Sequence, residues 1–164
     1  MEITFWKEAP EPTEIARELI AKYHPDLVPY AMRIVFRSKA RKAGRNKEAA
    51  GTAEIIRGRF AFFVMTAEEV SKQAQIFENP YQMFWMEIAE PWWHFYSEAQ
   101  RRALIDHELC HFVVDFPENK EEPELALREH DIEEFKEIVH RHGPWTPELE
   151  ELAVSLLGLD GTSR

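Results

Sequence analysis

From Ala31 to Ser38 the chain is β-branched and aromatic with partial alternation, Met32, Ile34 and Phe36 set against Arg33, Val35 and Arg37. A period of two predicts a strand with one face toward a core. Gln82–Glu90 (QMFWMEIAE) reads as another strand, taken as the sheet edge and ended by Pro91. Two shorter apolar runs, TAEIIRG and RFAFFVM, flank Gly58 and predict two strands or a hairpin. The remaining periodic stretches have helical spacing. Thr13–Tyr23 places Ile15, Leu19 and Ile20 on one face, with Thr13 as the cap and Pro25 preventing continuation. Thr66 with Glu69, Ser97 with Gln100, and Asp131 with Glu134 have the spacing of capping boxes, so helices are expected after each. The helix after Ser97 is expected to run on until Pro117, and the acidic, proline-punctuated segment after it to be a connection. Gly143-Pro144 ends the next helix. Thr146, Pro147 and Gly158 bracket the last. Strands thus gather in the first half and helices in the second. That is an α+β arrangement, with helices against one small sheet.

Composition narrows this picture. A chain of 164 residues with 45% apolar and 12% aromatic residues suits one globular domain spanning 1–164. Its single cysteine, Cys110, excludes an internal disulfide and fits a reducing compartment. The opening MEITFWKEAPEP has acids and prolines where a signal peptide needs a basic and then an apolar run. No apolar run approaches the roughly 18 residues of a membrane span. The expectation is a cytoplasmic protein with no membrane contact. A formal charge of −10 argues against broad affinity for nucleic acid. The segment SKARKAGRNK, residues 38–47, is the local exception. It reads as a solvated loop, with a docking patch for DNA or an acidic partner as the alternative, through Lys39, Arg41, Lys42, Arg45 and Lys47.

The helix after Ser97 carries chemistry. ALIDHELCHF, residues 103–112, contains H-E-x-x-H at His107, Glu108 and His111. Histidines four apart lie one turn apart on one helix face, so both imidazoles can reach one cation. Glu108 lies about 100° round the helix from His107. From there it can address a water on the metal without ligating the metal itself. This is the arrangement of metal-assisted hydrolysis with zinc, in which the carboxylate acts as general base. The other faces carry Ala103, Leu104, Leu109, Phe112 and Val113. Unpaired imidazoles and carboxylates are costly among such residues.

Zinc of this kind needs a third protein ligand and an open position. The metzincin spacing is excluded, because Val114 and Pro117 stand where it needs Gly and His. The candidates are Glu129, His130, Asp131, Glu133 and Glu134. His130 is preferred, since it falls just before the expected helix cap. Asp131 is better used as that cap. Glu133 or Glu134 would serve if the third ligand were a glutamate on a helix.

ALIDHELCHF followed by REHDIEEF resembles the putative phage metallopeptidase family and, more distantly, the SprT-like zincin peptidases. The likeness extends from Met32 to about Gly143. It implies a zincin-like fold: a small mixed sheet, an active-site helix beneath its edge strand, and further C-terminal helices. Carried over by position, it implies zinc held by His107, His111 and His130, with Glu108 as general base. The reaction implied is peptide-bond hydrolysis in a protein or peptide substrate, in the bacterial host if phage-encoded. A SprT-like protease recruited to nucleic acid, or a metal-stabilised interaction protein without catalysis, are the alternatives. The separate zinc or DNA module usual in SprT-like proteases has no counterpart here.

Other residues are weighed against these. Trp92, Trp93 and Tyr96 are expected in aromatic packing with His94 solvated; a specificity pocket and an oxyanion contact are the sharper reading. His140 and His142 suit a helix C-terminus. His24 is expected to be structural and Cys110 a small packing residue. Asp106 and Asp115 are possible partners that fix an imidazole tautomer.

Overall fold

The computed structural model describes residues 3–158. Their contacts fall into two compact units, one ending at Arg128 and one starting at Glu129. The first contains β1 (Trp6–Glu8), α1 (Pro10–Tyr23), β2 (Met32–Arg37), the short pair β3 (Arg41–Lys42) and β4 (Glu48–Ala49), and β5 (Gly51–Arg57). It continues through α2 (Arg59–Val64), α3 (Ala67–Gln73), β6 (Gln82–Ala89), α4 (Glu90–Phe95), α5 (Glu98–His111), β7 (Phe112–Asp115) and β8 (Glu124–Leu127). The second contains α6 (Lys136–His142) and α7 (Pro147–Leu157). The protein is α+β, with a small mixed sheet.

That sheet has the order β1-β2-β6-β5. β2 and β6 run parallel; β1 and β5 pair antiparallel to their neighbours. The expected edge strand, β6, is therefore interior, and the edges are β1 and β5. The reason is visible in its composition: every residue from Met83 to Ala89 is buried, as in a strand covered on both faces. On one face Phe84, Met86 and Ile88 join Ile34 and Phe36 of β2, Ile15 and Leu19 of α1, and Ile105 and Leu109 of α5. On the other, Met83 packs with Ala31, Ala61 and Met65. Further along that face the buried Glu87 accepts hydrogen bonds from the indoles of Trp6 (2.9 Å) and Trp85 (3.2 Å) and from Arg41 Nε (3.0 Å).

Several expectations are corrected. α1 starts at Pro10, with Ala9 at its cap; Thr13 lies within the helix and donates its hydroxyl to the Ala9 carbonyl at 2.6 Å. Prolines are tolerated in a first turn, where no intrahelical N–H is needed. RFAFFV is the helix α2, not a strand. Gly58 (φ 68) turns the chain, and Ala61, Val64 and Met65, spaced three and four apart, are the residues that pack inward. Part of the basic segment forms the β3–β4 pair. Pro91 lies in the first turn of α4. The boxes at Thr66–Glu69 and Ser97–Gln100 form as expected, and Thr146 and Gly158 bracket α7. The largest departures follow His111. α5 stops there, and Phe112–Asp115 pairs antiparallel with Glu124–Leu127, inside the supposed connection. α6 begins only at Lys136 with Phe135 at its cap position, so Asp131 caps no helix.

Candidate metal centre

α5 is fixed by its apolar side. Ile105 and Leu109 have no exposed surface, and the Ser97–Gln100 box satisfies its first turn. With that face anchored, the helical period sets the others. His107 is exposed, His111 half-buried and Glu108 buried at 4% exposure. The two imidazoles stand edge to face with centroids 5.2 Å apart. Each offers a ring nitrogen within 4.8 Å of the other's, a spacing open to a shared cation.

The β7–β8 pair adds a clamp. Phe112 faces Leu127 in register, which brings Arg128 back against His111. The Arg128 N–H donates to the His111 carbonyl at 2.9 Å, and His111 Nδ1 lies 2.8 Å from the Arg128 carbonyl. A carbonyl only accepts, so Nδ1 carries the proton. In the neutral ring Nε2 then holds the lone pair that a metal requires. Ending α5 at His111 is thus what orients the second histidine of the motif.

Glu108 lies against the first residue of the edge strand β5. A Cβ placed on Gly51 would fall 2.6 Å from Glu108 Oε1 and 2.8 Å from its Cδ and Cγ. Only glycine permits this approach. Burial pushes the Glu108 carboxyl up to about 7, partly opposed by the positive charge available to His111. A carboxyl poised there can both take and return a proton near neutral pH.

The remaining candidates divide. His130 is exposed and belongs to the second unit, as do Asp131, Glu133 and Glu134. Neither glutamate is helical, because α6 starts at Lys136. Glu134 accepts from the Phe135 N–H and from the Trp145 indole. Trp93 is core, 1% exposed and edge-on to Phe36. Trp92 donates to Glu48, and the exposed His94 pairs with Glu90. His140 and His142 occupy the last turn of α6. Asp106 pairs with His24 at 2.7 Å. Cys110 is exposed rather than packed, and Asp115 closes β7 instead of extending α5. In the basic segment, Arg41 is engaged by Glu87 and Glu54. Sequence reasoning missed Gly51 and Arg128, because Gly51 reaches the motif only through packing of β5 on α5 and Arg128 only through the β7–β8 pairing.

The model of the family described as putative phage metallopeptidase matches residues 4–156. The chain belongs to that family. Members carry a metallopeptidase description, which implies a metal cofactor and a protein or peptide substrate. No curated protein and no solved structure matches the chain. No helix among the described residues is long and apolar enough to cross a membrane.

Proposed function

We propose that this member of the phage metallopeptidase family is a zinc-dependent peptidase, with His107, His111 and His130 as ligands and Glu108 as general base. One observation carries the reading: a buried carboxyl held beside two imidazoles that share a helix face, one of them fixed in tautomer by Arg128. A structural zinc site has no use for such a carboxylate and ordinarily has four protein ligands. The donor set suits zinc, an ion that takes neutral imidazole readily. When bound, zinc supplies Lewis-acid polarisation of the scissile carbonyl and acidifies water. Glu108 takes the proton of the attacking water and passes it to the departing amine. Support for His130 comes from its tether, since the two residues from Arg128 to His130 span at most about 7 Å.

The substrate pairs as an extended strand along the outer edge of β5, where backbone groups recognise any sequence and side-chain contacts select among them. Gly51 lies at the start of that strand, against Glu108, which brings a strand-bound peptide to the general base. For a phage-encoded enzyme with one cysteine the compartment we propose is the host cytoplasm.

Metal analysis of wild type beside His130→Ala tests the ligand set. The wild type holds one zinc at the motif and the variant loses it; full retention would remove His130 from the site. Cleavage of an unfolded protein such as casein tests the base. Glu108→Gln keeps the metal and loses activity by at least about a hundredfold; equal cleavage by both proteins would end the general-base role of Glu108, and no cleavage by the wild type would end the peptidase reading.

A further inference from the structure

α5 carries a second pair of metal-binding side chains four apart. Asp106 and Cys110 precede His107 and His111 by one residue each, so they lie about 100° round the helix. There they face the end of α1. His24 occupies the C-cap position of α1, and its Nε2 lies 2.7 Å from Asp106 Oδ1. The donor atoms of His24, Asp106 and Cys110 all lie within 4.8 Å of one another. They form a group separate from the one that contains His107 and His111.

The position of His24 follows from the packing of α1 along α5. Glu11 pairs with Arg101 at 3.2 Å and Glu18 with Arg102 at 2.9 Å, and His24–Asp106 is the next rung. The first two rungs are arginine–carboxylate pairs. The third substitutes an imidazole and adds a thiol one turn further along α5, which a ladder of ion pairs does not require. The His24 side chain is 16% exposed, so packing holds its ring in place, while Cys110 reaches solvent and leaves a side open to water.

We propose that His24, Asp106 and Cys110 form a second binding site for a thiophilic divalent cation of the zinc or cobalt(II) type. Bonds of about 2.0 to 2.3 Å in tetrahedral array separate ligand atoms by roughly 3.3 to 3.8 Å. The His24–Asp106 bond need open by less than about 1 Å to admit the ion. Imidazole, carboxylate and thiolate together select zinc or cobalt(II) over magnesium or calcium, which take oxygen donors. The thiol proton passes to solvent on binding, and the two anionic ligands neutralise the ion. Water completes the shell. The site is independent of the peptidase reading.

Cobalt(II) separates the two sites spectroscopically, because only a thiolate ligand gives an intense sulfur-to-cobalt charge-transfer band in the near ultraviolet. Titration of the full chain with cobalt(II) yields that band in the wild type and in the His107→Ala/His111→Ala double variant. Cys110→Ser abolishes it, and His24→Gln and Asp106→Asn weaken cobalt binding at least tenfold. Circular dichroism confirms that each variant is folded. Absence of the band in the wild type overturns the proposal. So does a band that survives both His24→Gln and Asp106→Asn, and so does a band lost with His107 and His111, which would make Cys110 a ligand of the motif's own metal. The motif's metal is counted separately in Cys110→Ser, so failure of either site is read without the other.

Discussion

The carboxyl of Glu108 is withdrawn from water between α5 and β5, and that alone gives it two linked properties. Its proton affinity in the folded chain, about 7, exceeds the ordinary carboxyl value of 4.5 that it regains on unfolding. The native state therefore binds more protons than the unfolded state between those values. In metal-free protein this contribution to stability is fully present below about pH 4.5 and is lost as pH rises through 7. The shift corresponds to about 3 kcal/mol at most. Glu108→Gln removes the ionisation at nearly constant shape. Denaturant unfolding with a chelator present should show the variant matching wild type near pH 4.5 and exceeding it by about 1 to 3 kcal/mol at pH 8. A difference that does not change with pH would mean that burial does not govern this group. A bound cation nearby lowers the same affinity, so added zinc should shrink the gap.

At the scale of elements, the centre depends on how closely β5 approaches α5. Gly51→Ala places a methyl where the Glu108 carboxylate stands, 2.6 Å from Oε1. The carboxylate is buried and has little room to retreat, so it must swing off its position. A displacement of about 1 Å at a reacting group costs on the order of a hundredfold in rate. Steady-state kinetics should show kcat reduced by about that factor, KM little changed, and the motif's zinc retained; unaltered kcat would show that Gly51 does not position the base. This dependence could not be read along the chain, because the clash joins a strand to a helix far away in sequence. By contrast α5 is legible from its cap to its histidines, though not in where it ends. Its cap and its histidine spacing are local, and the structure reproduces both; of the expected apolar positions Leu104 and Leu109 pack inward, Ala103 is exposed, and Phe112 and Val113 belong to β7. The continuation was misread because Phe112, Val113 and Val114 suit a helix face as well as a strand. Their pairing with Leu125–Leu127 decides between them, and only the fold shows it. The same pairing hid Arg128, whose carbonyl fixes His111. The α6 start was misplaced for another reason: Asp131 has the capping spacing, yet the helix begins beyond it at Lys136, and a capping box is permissive rather than sufficient.

For the whole molecule, the division at Arg128 leaves the core and two of the three proposed ligands, His107 and His111, on one segment and His130 on the other. Both hydrophobic clusters are made of residues that precede Glu129, and so are the full four-stranded sheet and α5. The second unit contributes α6 and α7 and is too short to supply a comparable core. A chain ended after Arg128 should therefore fold. Its thermal midpoint should lie within several degrees of the full protein, because the apolar burial that dominates stability is retained. It nevertheless lacks His130. Losing an outer partner of a metal ligand already costs about ten- to a hundredfold in affinity, so loss of a ligand should weaken zinc binding by at least a hundredfold. Competition with a chromophoric chelator measures this, with His130→Ala in the full chain as the reference. If the truncated chain folds and binds like His130→Ala, the second unit serves the metal through that one histidine. If it folds and binds as tightly as wild type, the third ligand lies before Glu129. If it does not fold, the expectation of a single domain spanning 1–164 holds in its strong form, with the C-terminal helices part of one cooperative unit.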